Sequence, residues 1–145
     1  MGEETRAAAR AVETAERKDR ILIVEDEDNA RKGYEQLLQR WGYDVLGVGS
    51  AEEVLAKFAS YQPDTLIADV ELPGMNGLDL LRQLGPDLHG VPAIIITGKG
   101  SEERAVAAIE AGAFWYIEKP LKGPVLHALL DRALSKARDT RNLAV

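Results

Sequence analysis

Short apolar runs alternate with longer segments of helical periodicity, and this alternation occurs five times along the chain. The apolar runs predict β-strands at residues 21–25, 44–48, 65–69, 93–97 and 114–117. Three of these runs are nearly continuous Ile, Leu, Val and Ala, which is typical of strands covered on both faces. Strands that alternate with helices indicate a parallel sheet with crossover helices, so the pattern predicts an α/β fold.

The helical segments have recognisable ends. Ser50 and Glu53 form the pattern of a capping box, and Asn76 is placed to cap the next helix. The fourth helix is predicted over 101–111, before Gly112, which is a usual stop signal. The last helix is predicted over 124–137, with Pro at its start and a stripe of Leu and Ala on one face.

Length and segment composition suggest one domain with extensions. The chain has 145 residues, and we expect a helix-prone extension at 1–19, a folded domain at 20–137 and a tail or linker at 138–145. No stretch approaches the ~20 apolar residues of a membrane span. The chain contains no cysteine, which excludes disulfides and thiolate chemistry. We therefore expect a soluble cytoplasmic protein without a membrane partner.

Acidic residues are concentrated in the middle of the chain. The net charge is −6, with 0 in residues 1–20, +3 in residues 121–145 and −9 in residues 21–120. This distribution argues against a nucleic-acid surface, which needs clustered Lys and Arg. It favours a cation site or a basic partner, although a generally acidic solvated surface explains the charge equally well.

Polar residues follow the predicted strands where ligands bind in open parallel sheets, at the carboxyl ends. Glu25 and Asp26 follow the first strand, Asp69 ends the third, Thr97 ends the fourth and Lys119 follows the fifth. Carboxylates placed close together repel one another, so they remain ionised only beside a compensating cation. Mg²⁺ fits this set because it prefers oxygen ligands and binds through one or two carboxylates.

Four ordered motifs resemble those of the response regulator receiver family, across about residues 20–137. They are Ile21-Leu-Ile-Val-Glu25-Asp26-Glu27, Asp69-Val-Glu-Leu-Pro-Gly-Met-Asn-Gly77, Ile94-Ile-Ile-Thr97-Gly-Lys-Gly100 and Ala111-Gly-Ala-Phe-Trp-Tyr116-Ile-Glu-Lys119-Pro120. The resemblance implies a doubly wound, flavodoxin-like five-stranded sheet in the order 2-1-3-4-5. It also implies a phosphorylation switch that receives its phosphoryl group from a sensor histidine kinase.

The resemblance assigns the site residues. Asp69 would be the phosphoacceptor, and Lys119 would pair with a phosphoryl oxygen. Mg²⁺ would be held by Asp26, Asp69 and the backbone carbonyl of Glu71, with Glu25 acting mostly through water. Glu25 departs from the family, in which aspartate is more usual. The switch residues would be Thr97, whose hydroxyl bonds the phosphoryl group, and Tyr116, which then repacks inward.

The resemblance also implies that the bond between Lys119 and Pro120 is cis, and that output is read on the face of the last two helices and the fifth strand. An output domain, a downstream protein or a second copy of the chain would bind there. Trp115, unusual for the family, is either a partner contact on this face or packed against a helix. Gly112-Ala-Phe and Asp131-Arg-Ala-Leu weakly resemble the NtrC-like activators.

Three other functions use a similar fold. An aspartate phosphatase would need a second aspartate where Glu71 stands, so we expect a switch and no turnover of a substrate. A receiver-like interaction module that does not switch would not need the full acid, Thr and Lys set. A flavin carrier would need a loop rich in Ser and Thr after the first strand, where this chain is acidic.

Overall fold

The computed structural model describes residues 17–98 and 102–144. Five parallel strands form one sheet in the order β2-β1-β3-β4-β5, as predicted. The strands are β1 (Arg20–Val24), β2 (Asp44–Val48), β3 (Thr65–Asp69), β4 (Ala93–Thr97) and β5 (Trp115–Glu118). The helices are α1 (Asp28–Arg40), α2 (Ala51–Tyr61), α3 (Gly77–Leu84), α4 (Glu102–Glu110) and α5 (Gly123–Ala144), and a 3₁₀ turn spans Gly85–Leu88.

Both faces of the sheet are covered by helices. Successive strand residues point to opposite faces, so Leu22 and Leu66 pack in the layer of α2, α3 and α4, whereas Ile23 and Ile67 pack against α1 and α5. All four side chains are fully buried. This two-sided burial explains why the central strands are continuously apolar.

Side-chain caps and a glycine define the helix ends at the residues that the sequence predicted. The Ser50 hydroxyl accepts a hydrogen bond from the Glu53 backbone N–H, and Asn76 accepts one from Asp79 N at 2.9 Å. After α4, Gly112 has φ +103°, a left-handed conformation that glycine adopts without strain. These caps satisfy backbone groups that would otherwise lack partners.

Helix α5 is longer than predicted, because it continues beyond Ala137 to Ala144. Two ion pairs on the added turns attach it to the domain: Arg138 pairs with Asp19, and Arg141 pairs with the buried Asp64. Residues 138–144 of the predicted tail are therefore helical. The domain limits 20–137 stay a prediction, and residues 1–16 of the predicted extension lie outside the described residues. No helix in the described ranges is long and apolar enough to cross a bilayer.

Candidate functional site

The predicted site residues are carried by the carboxyl ends of four strands. Asp69 and Thr97 end β3 and β4, and each is 1% exposed. Glu25 directly follows β1 and is 4% exposed, whereas Lys119 follows β5 and reaches in from the surface. Because the strands are parallel, these ends meet at one edge of the sheet. The structure therefore brings these four side chains to one edge.

Asp69 lies at the centre of the site. Its Oδ1 accepts a hydrogen bond from Glu71 N at 2.8 Å, and its Oδ2 lies 2.6 Å from Lys119 Nζ. The start of α3 approaches the Asp69 backbone so closely that a Cβ at Gly77 would lie 2.4 Å from Asp69 O. Only glycine fits at this position, which explains the residue that the motif places there.

Lys119 is fixed by its backbone as well as by its charge. Its N–H donates to the Thr97 carbonyl at 2.8 Å, and its bond to Pro120 is cis, which confirms the prediction. Burial by itself lowers the pKa of Lys119, but the hydrogen bond to Asp69 and the charges of Asp69 and Glu25 raise it overall. The raised pKa favours the charged ammonium form of Lys119 beside the Asp69 carboxylate.

Glu25 is a buried carboxyl beside another carboxylate. Burial, and then the neighbouring Asp69 carboxylate, raise the pKa of Glu25 to about 7. Its Oε1 accepts only a long hydrogen bond from Glu27 N at 3.4 Å, and its Oε2 is buried without a partner among the described residues. A cation at this edge would satisfy that oxygen and favour the charged form.

The remaining predicted residues lie around this centre. Asp26 is exposed beside Glu25 on the loop before α1. The Glu71 side chain is exposed and forms an ion pair with Arg104 of α4, so only its backbone belongs to the site. Tyr116 is half-buried, packs against the α2–α3–α4 layer and stacks on Trp115 with ring centroids 5.7 Å apart. Trp115 is 51% exposed, which excludes the packed alternative.

The donor set fits Mg²⁺. The part of the chain that the structure describes contains no cluster of three acidic or histidine side chains that would form a metal cage. Mg²⁺ does not need such a cage, because it retains several waters and takes one or two carboxylates together with substrate oxygens. The unpartnered, buried Glu25 Oε2 and Thr97 Oγ1 are oxygens that a hydrated cation and its bound anion would satisfy.

Sequence reasoning missed two side chains next to the site. Arg31 of α1 donates from Nη1 to the Glu25 carbonyl at 2.9 Å and from Nη2 to Asp28 Oδ1 at 2.6 Å. Tyr34, also on α1, packs in the α1–α5 layer, and burial and then the charge of Glu25 raise its pKa. Arg31 and Tyr34 are three residues apart and so lie on the same face of α1. Because residues three or four positions apart share one face of a helix, their spacing from the acidic loop is the sequence signal that could have identified them.

Comparison with known proteins identifies the family and the fold. The family model for the response regulator receiver domain matches residues 21–131. The transcriptional regulatory protein FixJ of Rhizobium meliloti is 39% identical over 113 residues, which cover 78% of this chain and 55% of that protein. The DNA-binding transcriptional regulator NtrC of Salmonella typhimurium is 35% identical over 128 residues, which cover 86% of this chain and 27% of that protein.

Solved structures agree with these relatives. A CheY-like receiver domain protein from Methanospirillum hungatei matches with a TM-score of 0.79 and 32% identity, covering 85% of this chain and 98% of that one. NtrX from Brucella abortus matches with a TM-score of 0.81 and 31% identity, covering 88% of this chain and 30% of that one. The chain thus spans a whole receiver domain, but only about half of FixJ and about a quarter of NtrC.

Proposed function

This chain belongs to the response regulator receiver family, and from that premise we propose that it is a Mg²⁺-dependent switch phosphorylated on Asp69 by a sensor histidine kinase. One observation carries the proposal: Asp69 is a buried carboxylate whose Oδ2 lies 2.6 Å from the Lys119 ammonium, at the strand end where family members are phosphorylated. Such a carboxylate is held in one orientation, which favours attack on a positioned phosphoryl group.

In the proposed reaction, a carboxylate oxygen of Asp69 attacks the phosphorus of a phosphohistidine. The new O–P bond forms while the P–N bond breaks, and the imidazole leaves with the electron pair of that bond. Lys119 moves its charge from the carboxylate to a phosphoryl oxygen and so stabilises the product. The Glu71 N–H, 2.8 Å from Asp69 Oδ1, keeps the carboxylate oriented during attack.

We assign the metal ligands as Asp26, Asp69 and the Glu71 carbonyl, with Glu25 acting through water. Bound Mg²⁺ would supply positive charge beside the transferred phosphoryl group. The unpartnered Oε2 of Glu25 supports this assignment, because a buried carboxylate oxygen needs a donor or a cation. The exposure of Asp26 leaves its carboxylate free to turn toward the site.

We assign the switch to Thr97 and Tyr116. The Thr97 hydroxyl is buried and unpartnered among the described residues, so a phosphoryl oxygen would give it the hydrogen bond that it lacks. The half-buried Tyr116 would then move further inward and change the face formed by α4, β5 and α5. An output domain, a downstream protein or a second copy of the chain would bind this face, in the cytoplasm.

The proposal is tested with acetyl phosphate and Mg²⁺. Intact-mass measurement should detect one added phosphoryl group on the wild-type protein and none on Asp69→Asn under the same conditions. Equal labelling of the variant would remove Asp69 as the acceptor. Turnover of p-nitrophenyl phosphate should be negligible in the same preparation, and sustained turnover would instead support the aspartate phosphatase.

A further inference from the structure

Arg31 holds the loop that carries the two acidic residues Glu25 and Asp26. Its Nη1 donates to the Glu25 carbonyl at 2.9 Å, and its Nη2 donates to Asp28 Oδ1 at 2.6 Å. The side chain is only 19% exposed, so these hydrogen bonds are partly shielded from water. One guanidinium therefore spans the loop from the end of β1 to the first residue of α1.

The Glu25 carbonyl belongs to the peptide unit that joins Glu25 to Asp26. A peptide unit is planar, and its plane contains the Cα atoms of both residues. A hydrogen bond that fixes the direction of this carbonyl therefore fixes the plane from which both acidic side chains project. The Glu25 N–H, bonded to the Val48 carbonyl at 3.1 Å, anchors the other side of the same residue.

We propose that Arg31 is a positioning residue for Mg²⁺: without contacting the metal itself, Arg31 holds the Glu25–Asp26 peptide so that both carboxylates face the metal. This inference rests on the proposed function, because it assumes that Mg²⁺ binds at this edge. A planar fork with separate donors suits the task, since the carbonyl and the Asp28 carboxylate are satisfied at the same time. A lysine ammonium lacks this geometry.

The neighbouring strand is shaped around this guanidinium. A Cβ at Gly49 would lie 3.3 Å from Arg31 Nη1, which is closer than ordinary contact. A Cβ at Gly47 would lie 2.5 Å from Glu35 Oε1, and Glu35 Oε1 is itself 3.8 Å from Arg31 Nε. Gly47 in β2 and Gly49 just after it thus leave room for the Arg31 and Glu35 side chains of α1.

Charge and geometry predict opposite effects when Arg31 is replaced. Removing a positive charge beside a metal site should strengthen cation binding, because the repulsion between the two cations disappears. Loss of a positioning contact should weaken metal binding, by about tenfold where outer contacts orient the ligands. The sign of the change in Mg²⁺ affinity therefore distinguishes a positioning residue from a charge that happens to be nearby.

Isothermal titration of Mg²⁺ into the wild type, Arg31→Gln, Arg31→Lys and Lys32→Gln tests this. Lys32 is the matched control, since it carries the same charge one residue further and is exposed. We expect Arg31→Gln to weaken Mg²⁺ binding about tenfold, Arg31→Lys to lie between it and the wild type, and Lys32→Gln to leave binding unchanged or slightly tighter. Acetyl phosphate labelling should slow in Arg31→Gln at low Mg²⁺ and recover at saturating Mg²⁺.

Gly49→Ala provides a second route should Arg31→Gln fold poorly, because the added methyl group displaces Nη1 while the arginine remains. It should weaken Mg²⁺ binding in the same direction, by a smaller factor. Unchanged or tighter Mg²⁺ binding in folded Arg31→Gln would overturn the positioning role of Arg31. If Arg31→Gln is unfolded, the same result in Gly49→Ala would overturn it. Phosphorylation of the wild type would in either case leave the proposed function standing. A wild type that takes up neither Mg²⁺ nor a phosphoryl group would overturn both.

Discussion

Asp69 and Lys119 form an ion pair whose members differ sharply in exposure: the Asp69 side chain is 2% exposed and the Lys119 side chain 42%. Lys119 therefore approaches a buried carboxylate from the solvent side, where an incoming phosphoryl group would also approach. In the proposed reaction, the ammonium would neutralise the Asp69 carboxylate before phosphorylation and the phosphoryl group afterwards. The same contact should thus oppose metal binding and support the phosphorylated state.

Lys119→Met separates these two effects. The free Asp69 carboxylate should bind Mg²⁺ more tightly than in the wild type, because the competing cation has gone. Labelling by acetyl phosphate at saturating Mg²⁺ should slow by about 10- to 100-fold, the value of a hydrogen bond to a charged group. Lys122→Met is the control, since Lys122 is exposed and lies beyond Pro120. Equal labelling rates in both variants would contradict the role of Lys119.

Thr97→Val replaces a buried hydroxyl by a methyl group of similar shape. The Thr97 Oγ1 has no partner among the described residues, so its removal should raise the free energy of unfolding by about 1 kcal/mol in the unphosphorylated protein. Phosphorylation at Asp69 should persist, but the change in hydrogen exchange of α4 and β5 on phosphorylation should be lost. Thr97→Ser should retain that change.

Thr65 supplies the matched control for Thr97. It is the other threonine among the described residues whose buried hydroxyl lacks a partner, and it begins β3 at the opposite end of the sheet. Thr65→Val should be stabilising to a similar extent, yet the exchange response to phosphorylation should stay as in the wild type. If Thr97→Val retains a normal response, the hydroxyl of Thr97 does not carry the signal.

The sheet and the centre of the site were predictable because their signals are local. Continuous apolar runs identify buried parallel strands, and strand ends in such a sheet place Glu25, Asp69 and Thr97 at one edge without further information. Each predicted strand boundary lies within one residue of the observed one. Trp115 remained ambiguous, because an aromatic residue on an edge strand packs inward or outward according to neighbours that the sequence does not identify.

Contacts between distant residues were not predictable. Asp64 accepts hydrogen bonds from Arg17 at 2.8 and 2.9 Å, from Arg20 N at 2.8 Å and from Arg141, so it joins segments far apart in the chain. Nothing in the sequence pairs one acid with these partners. The end of α5 was missed for this reason, since the apolar stripe ends near Ala137 whereas Arg138 and Arg141 attach the added turns by charge.

Asp64→Asn tests this network. Asp64 is 4% exposed, and its replacement leaves two partly buried guanidinium groups without their counter-charge. We expect the free energy of unfolding at pH 7 to fall by about 3 kcal/mol, measured by urea titration. Asp139→Asn, on an exposed position of α5, should change it by less than about 0.5 kcal/mol. Equal losses of unfolding free energy in Asp64→Asn and Asp139→Asn would mean that the Asp64 network contributes little to stability.

The free energies of unfolding of the wild type and Asp64→Asn should also depend differently on pH. Burial by itself raises the pKa of Asp64, but hydrogen bonds from Arg17 and Arg20 N and the charge of Arg141 lower it below the ordinary 3.8. When folding lowers the pKa of a carboxyl group, the group stabilises the fold fully at pH values above its pKa in the unfolded chain. This stabilisation is lost as the pH falls through its pKa in the folded protein. The difference in unfolding free energy between the wild type and Asp64→Asn should therefore be constant above about pH 5 and narrow below about pH 4. A constant difference down to about pH 3 would contradict the lowered pKa.

Trp115 lies on the proposed output face, at the edge strand β5. It is 51% exposed, and exposed apolar side chains on the adjoining helices include Val106 at 58%, Ile109 at 42% and Val125 at 46%. Its ring stacks on Tyr116, with an angle of 16° between the planes. A movement of Tyr116 would therefore move the indole as well, which would connect the proposed switch to this surface.

Trp115→Ala should weaken phosphorylation-dependent self-association or output binding by about tenfold or more, because an aromatic side chain at the centre of an interface contributes a few kcal/mol. Because Trp115 is half exposed, its replacement should lower the free energy of unfolding by only about 1 kcal/mol. Truncation of a buried aromatic side chain would lower it by about 3–5 kcal/mol. Sedimentation with and without beryllofluoride measures the association, and thermal melting measures the stability.

Trp41→Ala is the control, since Trp41 stacks on His127 in the α1–α5 layer, and it should lower stability without changing association. Unchanged association in Trp115→Ala would remove the indole from the output surface.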